Sequence, residues 1–338
     1  MRTWEIQDDF GIENLNLIDR PDPEPGPGEV LIGVRACSLN YRDLQVVQGL
    51  YDPKMPLPRV PFSDGAGEVL AVGDSVGKFE VGDRVAGIFM QDWIGGEVTP
   101  EAAASALGGA IDGMLSEQVV LKEDGLVHAP DHLSFEEAST LPCAAVTAWN
   151  ALVDKGGLKA GDTVLALGTG GVSIFALQFA NLFGARAIVT SSSDEKLERA
   201  RSLGASETIN YSRTPEWQKE VLKLTDGNGV DHVIEVGGPD TLDKSIDAAR
   251  MGGNIAMIGV LTGAKGEATT AKILRKTLRV QGIYVGSREM FENMNDAIAL
   301  NGMKPVVDRA FPFEEAREAL RHMESAEHFG KIVIQVQS

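Results

Sequence analysis

The stretch with the clearest chemical potential is "VLALGTGGVSIF", residues 164–175. A β-branched, leucine-rich run enters Gly168-Thr169-Gly170-Gly171, and an apolar helical pattern leaves it. In that setting glycines let backbone amides approach a pyrophosphate at a helix N-terminus. The third glycine of the G-x-G-x-x-G pattern is replaced by Ser173, where close packing of helix on strand matters. A hydroxymethyl group is small, and its oxygen has two available partners: a backbone carbonyl one turn earlier or a phosphate oxygen. A bare glycine pattern also suits a flexible strand-to-helix corner. The entering strand, the leaving helix and Gly184 closing that helix favour the dinucleotide reading.

Which dinucleotide such a turn holds is decided at the end of the next strand. An Asp or Glu about 20 residues past the glycines accepts the ribose hydroxyls of NAD and repels a 2′-phosphate. Here "IVTSSSDEKLERA" supplies Ser191, Ser192 and Ser193, with Lys196 and Arg199 close behind. Hydroxyls donate to phosphate oxygens, and Lys196 offers a point charge. Ser192-x-x-Glu195 is also a capping box for the next helix. That would put Lys196 in a first turn, where the helix dipole disfavours a cation, and a bound phosphate relieves the conflict. Asp194 argues the other way. The balance favours NADP (NADPH) over NAD.

The elements that must position these groups form two regimes. Residues 28–90 alternate in short valine- and glycine-rich runs, "GEVLIGVRACSL" and "GAGEVLAVGDSVGKFEVGDRVAGIF", joined by tight turns. They predict a mostly-β first domain. Residues 91–113 are irregular, with a short alanine-rich helical piece, as binding loops often are. From Ser134, which with Glu137 forms a capping box, the rhythm changes. "TVLALG", "RAIVTSS", "DHVIEVGG", "NIAMIGV" and "TLRVQGIYVG" then alternate with helices near 172–183, 195–203 and 241–251. Such alternation means a parallel sheet with crossover helices on both faces. Two more helices and the strand "GKIVIQV" close the chain.

The totals fit this frame. A length of 338 residues implies two domains, and 31 basic against 49 acidic residues give a net charge of −18. That field disfavours nucleic acid and anionic membranes as partners, while a local nest of amides still admits an anionic cofactor. The N-terminus lacks the pattern of a signal peptide, and no stretch approaches the ~20 apolar residues of a membrane span. Cys37 and Cys143 are the only cysteines, too few for a disulfide scaffold or a four-cysteine zinc lobe, so the cytoplasm is the expected compartment.

Together the motifs resemble the medium-chain dehydrogenase/reductase superfamily, and within it the zinc-independent, quinone-oxidoreductase-like branch. The resemblance covers essentially the whole chain. It rests on "SLNYRDL" (38–44), "VPFSDGAGEVLAVGDSV" (60–76), "FEVGDRVAG" (79–87), "LPCAAVTAWNAL" (141–152), "LGTGGVSIFALQFA" (167–180), "GASETINY" (204–211) and "HFGKIVI" (328–334). It implies an α/β protein. A GroES-like, mostly-β catalytic domain would span 1–128, completed by 289–338, and a Rossmann doubly wound parallel sheet 129–288. It also implies a homodimer and an active cleft between the domains. Thr147, Val172, Gly259 and Val260 join the cofactor-binding set on the same ground. Tyr211 matches a tyrosine that NADP-using relatives place on the 2′-phosphate, though a half-buried strand-end tyrosine fits equally. Lys331 is implied to approach the cofactor, or else is a surface lysine before a strand. Ser287 and Arg288 in "YVGSR" are implied to return toward the cleft.

In the zinc-dependent relatives a Cys, a His and a second Cys bind the metal, and the matching positions here are Asn40, Ser63 and Cys143. Only one is a good zinc ligand, where a catalytic site needs three plus an open position, and the five histidines show no metal-ligand spacing. No zinc is expected. Cys143 reads as a small residue near the nicotinamide rather than a nucleophile, since no His or Lys flanks it. Without a metal, oxyanion stabilisation falls to hydrogen-bond donors, which contribute less than a cation. Hydride acceptors that spread their own charge are then favoured, namely quinones and α,β-unsaturated carbonyls. Asn40 and Tyr41 are the candidate donors. Asp43 could orient one of them, cap a helix or pair with Arg42. Tyr51, Ser63, Trp93 and Cys143 are expected to line the substrate pocket, although Tyr41 and Trp93 could simply pack the first domain. The expected activity is NADPH-dependent, zinc-independent reduction of a conjugated carbonyl or quinone. An NAD(P)-dependent alcohol dehydrogenase is the alternative, and a non-catalytic cofactor-binding protein a further one.

Overall fold

The computed structural model describes residues 1–336. The chain forms two compact units, residues 1–146 with 286 onward, and Thr147–Val285. The first contains β1 (Arg2–Ile6), β2 (Leu15–Asp19), β3 (Glu29–Ser38), β4 (Asp64–Val72), β5 (Arg84–Gly87), β6 (Gln118–Lys122) and β7 (Leu126–His128). The second contains β8 (Thr163–Ala166), β9 (Arg186–Ser191), β10 (Glu207–Asn210), β11 (Val230–Glu235), β12 (Ala249–Met257) and β13 (Arg279–Gly282). The chain then returns to the first unit with β14 (Val307–Pro312) and β15 (Lys331–Gln335).

In the second unit the strands lie in the order β10-β9-β8-β11-β12-β13, all parallel. Numbered within the unit this is 3-2-1-4-5-6, the doubly wound order of a Rossmann sheet, whose direction of winding reverses between β8 and β11. Runs such as Val164–Ala166 and Val233–Ile234 are fully buried, as expected for strands covered on both faces. Leu165, Ile188, Val233, Ile246 and Ile255 form the core. The helix Gly171–Leu182 ends with Phe183 as its cap and Gly184 beyond it at φ +72°, the C-terminal closure expected from the sequence.

The first unit is a mixed sheet, β14-β15-β3-β4-β5-β7, with β6 also paired to β3. β3 is ten residues long, and β6 and β15 share one of its edges: β6 pairs with Glu29–Gly33, β15 with Ala36–Ser38. β1 and β2 form a separate antiparallel pair. Residues 129–146 and 286–288, assigned from sequence to the Rossmann segment, lie in the first unit. The Ser38 hydroxyl donates to the Ser139 carbonyl at 2.9 Å, and the Cys143 amide to Asp64 at 3.2 Å. Within the irregular 91–113 stretch the only helix is Pro100–Ala103, capped by Thr99.

Candidate active site and dinucleotide cradle

In the first unit three strand ends converge. Antiparallel pairing sets Ser38 opposite Asp64 and Val333 opposite Ser38. Asn40, just past β3, therefore lies beside Ser63 and Asp64 at the start of β4 and Lys331 at the start of β15. Lys331 is 2% exposed, and its ammonium donates to the Leu39 carbonyl at 2.7 Å and to Asn40 Oδ1 at 2.6 Å, with Asp64 Oδ2 at 3.6 Å. Asn40 Nδ2 donates to Ser63 Oγ at 3.4 Å, and Ser63 Oγ to Asp64 Oδ1 at 2.8 Å. The result is a closed ring, Lys331–Asn40–Ser63–Asp64. Its donor order turns the Asn40 amide so that oxygen faces the cation and nitrogen faces away.

A second acid sits beneath this ring. Asp43 is buried and accepts the amides of Asn40 at 2.8 Å and Ser63 at 3.3 Å. Of the three roles open to it, the structure shows it holding the start of the helix Tyr41–Val47 while lying 3.9 Å from Arg42. Burial pushes its carboxyl up to about 6, with Arg42 opposing and Asp64 reinforcing the shift. The Arg42 guanidinium stacks over Tyr51 and Phe89, 5.0 and 4.7 Å from the ring centroids, and donates to the Leu107 carbonyl. Tyr41 and Tyr51 are both exposed, at 44% and 43%. Trp93 is buried, with its indole N–H on the Gly96 carbonyl of its own loop. Ser287 caps the helix Arg288–Asn301, and Arg288 pairs with Glu292 and Asp124.

In the second unit Gly168 takes φ +76°, a conformation that favours glycine. The helix Gly171–Leu182 starts at Gly170 with no side-chain cap, leaving first-turn amides at Gly171, Val172 and Ser173 directed outward. A Cβ built at Gly168 or Gly170 meets nothing within 4 Å, so the surface over the turn is open to a ligand. Ser173 Oγ donates to the Leu167 carbonyl at 2.6 Å and is buried. Of its two available partners it has taken the backbone one. Thr147 and Thr169 are buried. A cleft of about 410 Å³ lies at the C-terminal ends of β8 and β11, lined by Gly168, Thr190, Tyr211, Gly237, Thr241 and Lys244 among others. This is the position where doubly wound sheets bind ligands.

The flank of this cleft refines the sequence reading. Ser193, not Ser192, caps the helix Asp194–Ser202, accepting from the Lys196 amide, and Ser192 is exposed beside it. The expected Ser192–Glu195 capping box is not formed: with Ser193 as the cap the third helical residue is Lys196, whose side chain carries no acceptor for the return bond. Ser191 Oγ accepts the Ser193 amide at 3.3 Å and its carbonyl accepts the Tyr211 amide at 3.0 Å. Asp194, the dissenting charge, is bonded to Asn210 Nδ2 at 2.7 Å and paired with Arg213. Gly259 follows β12 where a Cβ would meet the Val236 carbonyl at 2.2 Å, and Val260 beside it is exposed.

Sequence reasoning missed two organisers. Glu235, fully buried, accepts from the amides of Gly237 and Gly238, from Thr241 and from Ser245, and so shapes the loop after β11. The acid ending the apolar "DHVIEV" run was its only signal. Asp64 was visible inside "VPFSDGAG" but gained meaning only when strand pairing surrounded it with donors. Lys331, read from the sequence as a cofactor contact or else a surface lysine, is not at the surface: it is 2% exposed and has three partners within the first unit.

Two family descriptions match the chain: an alcohol dehydrogenase GroES-like domain over residues 26–131 and a zinc-binding dehydrogenase domain over residues 171–299. A zinc-type alcohol dehydrogenase-like protein of Schizosaccharomyces pombe is 49% identical over 319 residues, which is 92% of this chain and 91% of that one. A quinone oxidoreductase of Pseudomonas aeruginosa is 34% identical over 337 residues, 96% of each. A solved NAD-dependent alcohol dehydrogenase, 38% identical, superposes over 100% of both chains with a TM-score of 0.91. The chain belongs to the medium-chain dehydrogenase/reductase superfamily and is an oxidoreductase of that superfamily. It combines a GroES-like domain with a Rossmann-like parallel sheet.

The second family description names zinc, and the residues at the matching positions do not suit it. Asn40 Oδ1 already accepts from an ammonium, and the Ser63 hydroxyl donates to Asp64. Of the three matching positions only Cys143 carries a side chain of the kind that ligates zinc. Asp64 is ringed by donors from Ser38, Ser63, Cys143 and Lys331. Catalytic zinc takes three ligands of the Cys, His or carboxylate kind. Among the described residues no helix is long and apolar enough to cross a membrane.

Proposed function

We propose that this chain is an NADPH-dependent reductase, working without zinc, that passes a hydride to quinones or other α,β-unsaturated carbonyl compounds. The observation that carries the reading is the orientation of Asn40: with Oδ1 held by Lys331, the amide nitrogen is committed to donating. A reduced nicotinamide, when bound, supplies the hydride. Asn40 Nδ2 holds the substrate oxygen, exposed Tyr41 offers a second donor and a proton, and Asp43 fixes the loop that carries both. Neutral donors stabilise an oxyanion less than a metal does. This arrangement therefore suits acceptors whose product anion is a phenolate or enolate.

The preference for NADPH rests on the serine-rich end of β9, on Lys196 and Tyr211, and on the engagement of Asp194 by Arg213 and Asn210. The glycine turn and the cleft beside it would hold the pyrophosphate and the adenosine. The chain is proposed to act as a homodimer in the cytoplasm. The test is oxidation of NADPH and of NADH against a panel of quinones, enones, aldehydes and ketones, by wild type and Asn40→Ala. Quinone or enone reduction that falls about 100-fold in the variant, with NADPH affinity unchanged, supports the reading. Activity confined to simple aldehydes, or undiminished in the variant, overturns it. The resemblance to an NAD-dependent alcohol dehydrogenase favours a second reading, alcohol oxidation with NAD, which alcohol-dependent NADH formation in the same assay would reveal.

A further inference from the structure

A buried lysine is costly unless its charge is used or paired. Lys331 is paired with Asp64, but its shortest contact, 2.6 Å, is to a neutral group, Asn40 Oδ1. An unbound Asn amide can turn either face outward, as a donor or as an acceptor. Here both faces are assigned, since an ammonium can only donate to Oδ1. Ser63, whose hydroxyl hydrogen goes to Asp64, can only accept from Nδ2. Nδ2 carries two hydrogens, and the 3.4 Å contact to Ser63 uses one. The second is left for an external acceptor, and a positive charge on the amide oxygen polarises that N–H toward stronger donation.

We propose that Lys331 is a positioning residue for the reaction: its buried ammonium, balanced by Asp64, locks and polarises the Asn40 amide as the donor for the substrate oxygen. The proposal deepens the function above and rests on it. It assigns Lys331 a role that reaches the substrate only through Asn40, distinct from the cofactor contact the resemblance implied. Asp64 is the counter-charge that lets the ammonium remain buried. Ser63 keeps the ring's direction.

A double-mutant cycle tests this. Lys331→Met alone leaves Asp64 buried without its cation, so the informative variant is Lys331→Met with Asp64→Asn, compared in Asn40 and Asn40→Ala backgrounds. With Asn40 present, the pair of substitutions should lower kcat about 10-fold for a quinone acceptor while NADPH affinity holds. In the Asn40→Ala background the same pair should change kcat less than about 2-fold, because the path runs through the missing amide. Equal losses in both backgrounds, or a loss confined to NADPH binding, overturn the proposal. A second readout needs no turnover: in chain labelled with [15N]asparagine, the Asn40 side-chain amide resonance, identified by its loss in Asn40→Ala, should shift in Lys331→Met/Asp64→Asn. An unmoved resonance overturns the link between the two residues. If wild type reduces no quinone or enone, the functional reading fails, and the resonance alone judges Lys331.

Discussion

The Asp43 carboxylate accepts the backbone amide of Asn40 at 2.8 Å while buried beneath the ring that holds the Asn40 side chain. The same residue is thus fixed twice, through its backbone by one acid and through its side chain by a cation balanced by another. Asp43 is raised from 3.8 to about 6, so between those values the folded chain holds a proton that the unfolded chain has released. The stability from that proton is complete below about 3.8 and is lost as pH rises through about 6. In urea unfolding across this range, wild type minus Asp43→Asn should show stability falling with rising pH. A flat difference would contradict it.

Ser173 replaces a glycine, yet its hydroxyl bonds the chain rather than facing the cleft. Ser173→Ala should therefore cost about 1 kcal/mol in unfolding free energy. Titration of NADPH should give nearly the wild-type affinity. A large affinity loss without a stability loss would place the hydroxyl on the cofactor.

If the chain prefers NADPH as proposed, Lys196 and Arg213 should make separable contributions to cofactor choice. Lys196→Ala should reduce the preference for NADPH over NADH about 10-fold, as expected for loss of a charge-assisted contact to phosphate. Arg213→Ala acts indirectly, by returning the Asp194 charge to the neighbourhood of a 2′-phosphate. It should weaken NADPH and leave NADH unaffected. Fluorescence titration with both dinucleotides distinguishes the two effects, and an unchanged NADPH-to-NADH ratio in both variants would remove these residues from the site.

Cys143 is held protonated by burial, reinforced by Asp64, and Cys37 likewise by burial. Neither should react readily with iodoacetamide at neutral pH. Cys143→Ser should retain turnover close to wild type, and rapid stoichiometric alkylation of Cys143 with loss of activity would show instead a reactive thiol.

The second unit was the more legible in sequence because its signals are local. An apolar run followed by a turn and a helical pattern announces the βα steps at β8, β9 and β11, and five of the six parallel strands were legible as apolar runs. The one left out, β10, is four residues long at the sheet edge, and its run "ETIN" is too short and too polar to show a period. The helices Trp217–Leu224 and Thr270–Arg275 were missed for the same reason of brevity. In the first unit, Asn40 was legible as a candidate but its partners were not. Lys331 and Asn40 are 291 positions apart and meet only because β15 pairs with the end of β3. Register of that kind is set by the whole sheet.

Gly168 and Gly170 in the turn answer to different demands. At 168 the backbone itself requires one, because the turn from β8 into the helix passes through a left-handed bend. At 170 the dihedrals, φ −77° and ψ −178°, admit any residue, and no neighbouring atom crowds the place a methyl would take. Folding alone is indifferent to the choice there. An alanine at 170 thus becomes a reporter: it leaves the protein intact and registers only what comes to rest against it from outside the polypeptide.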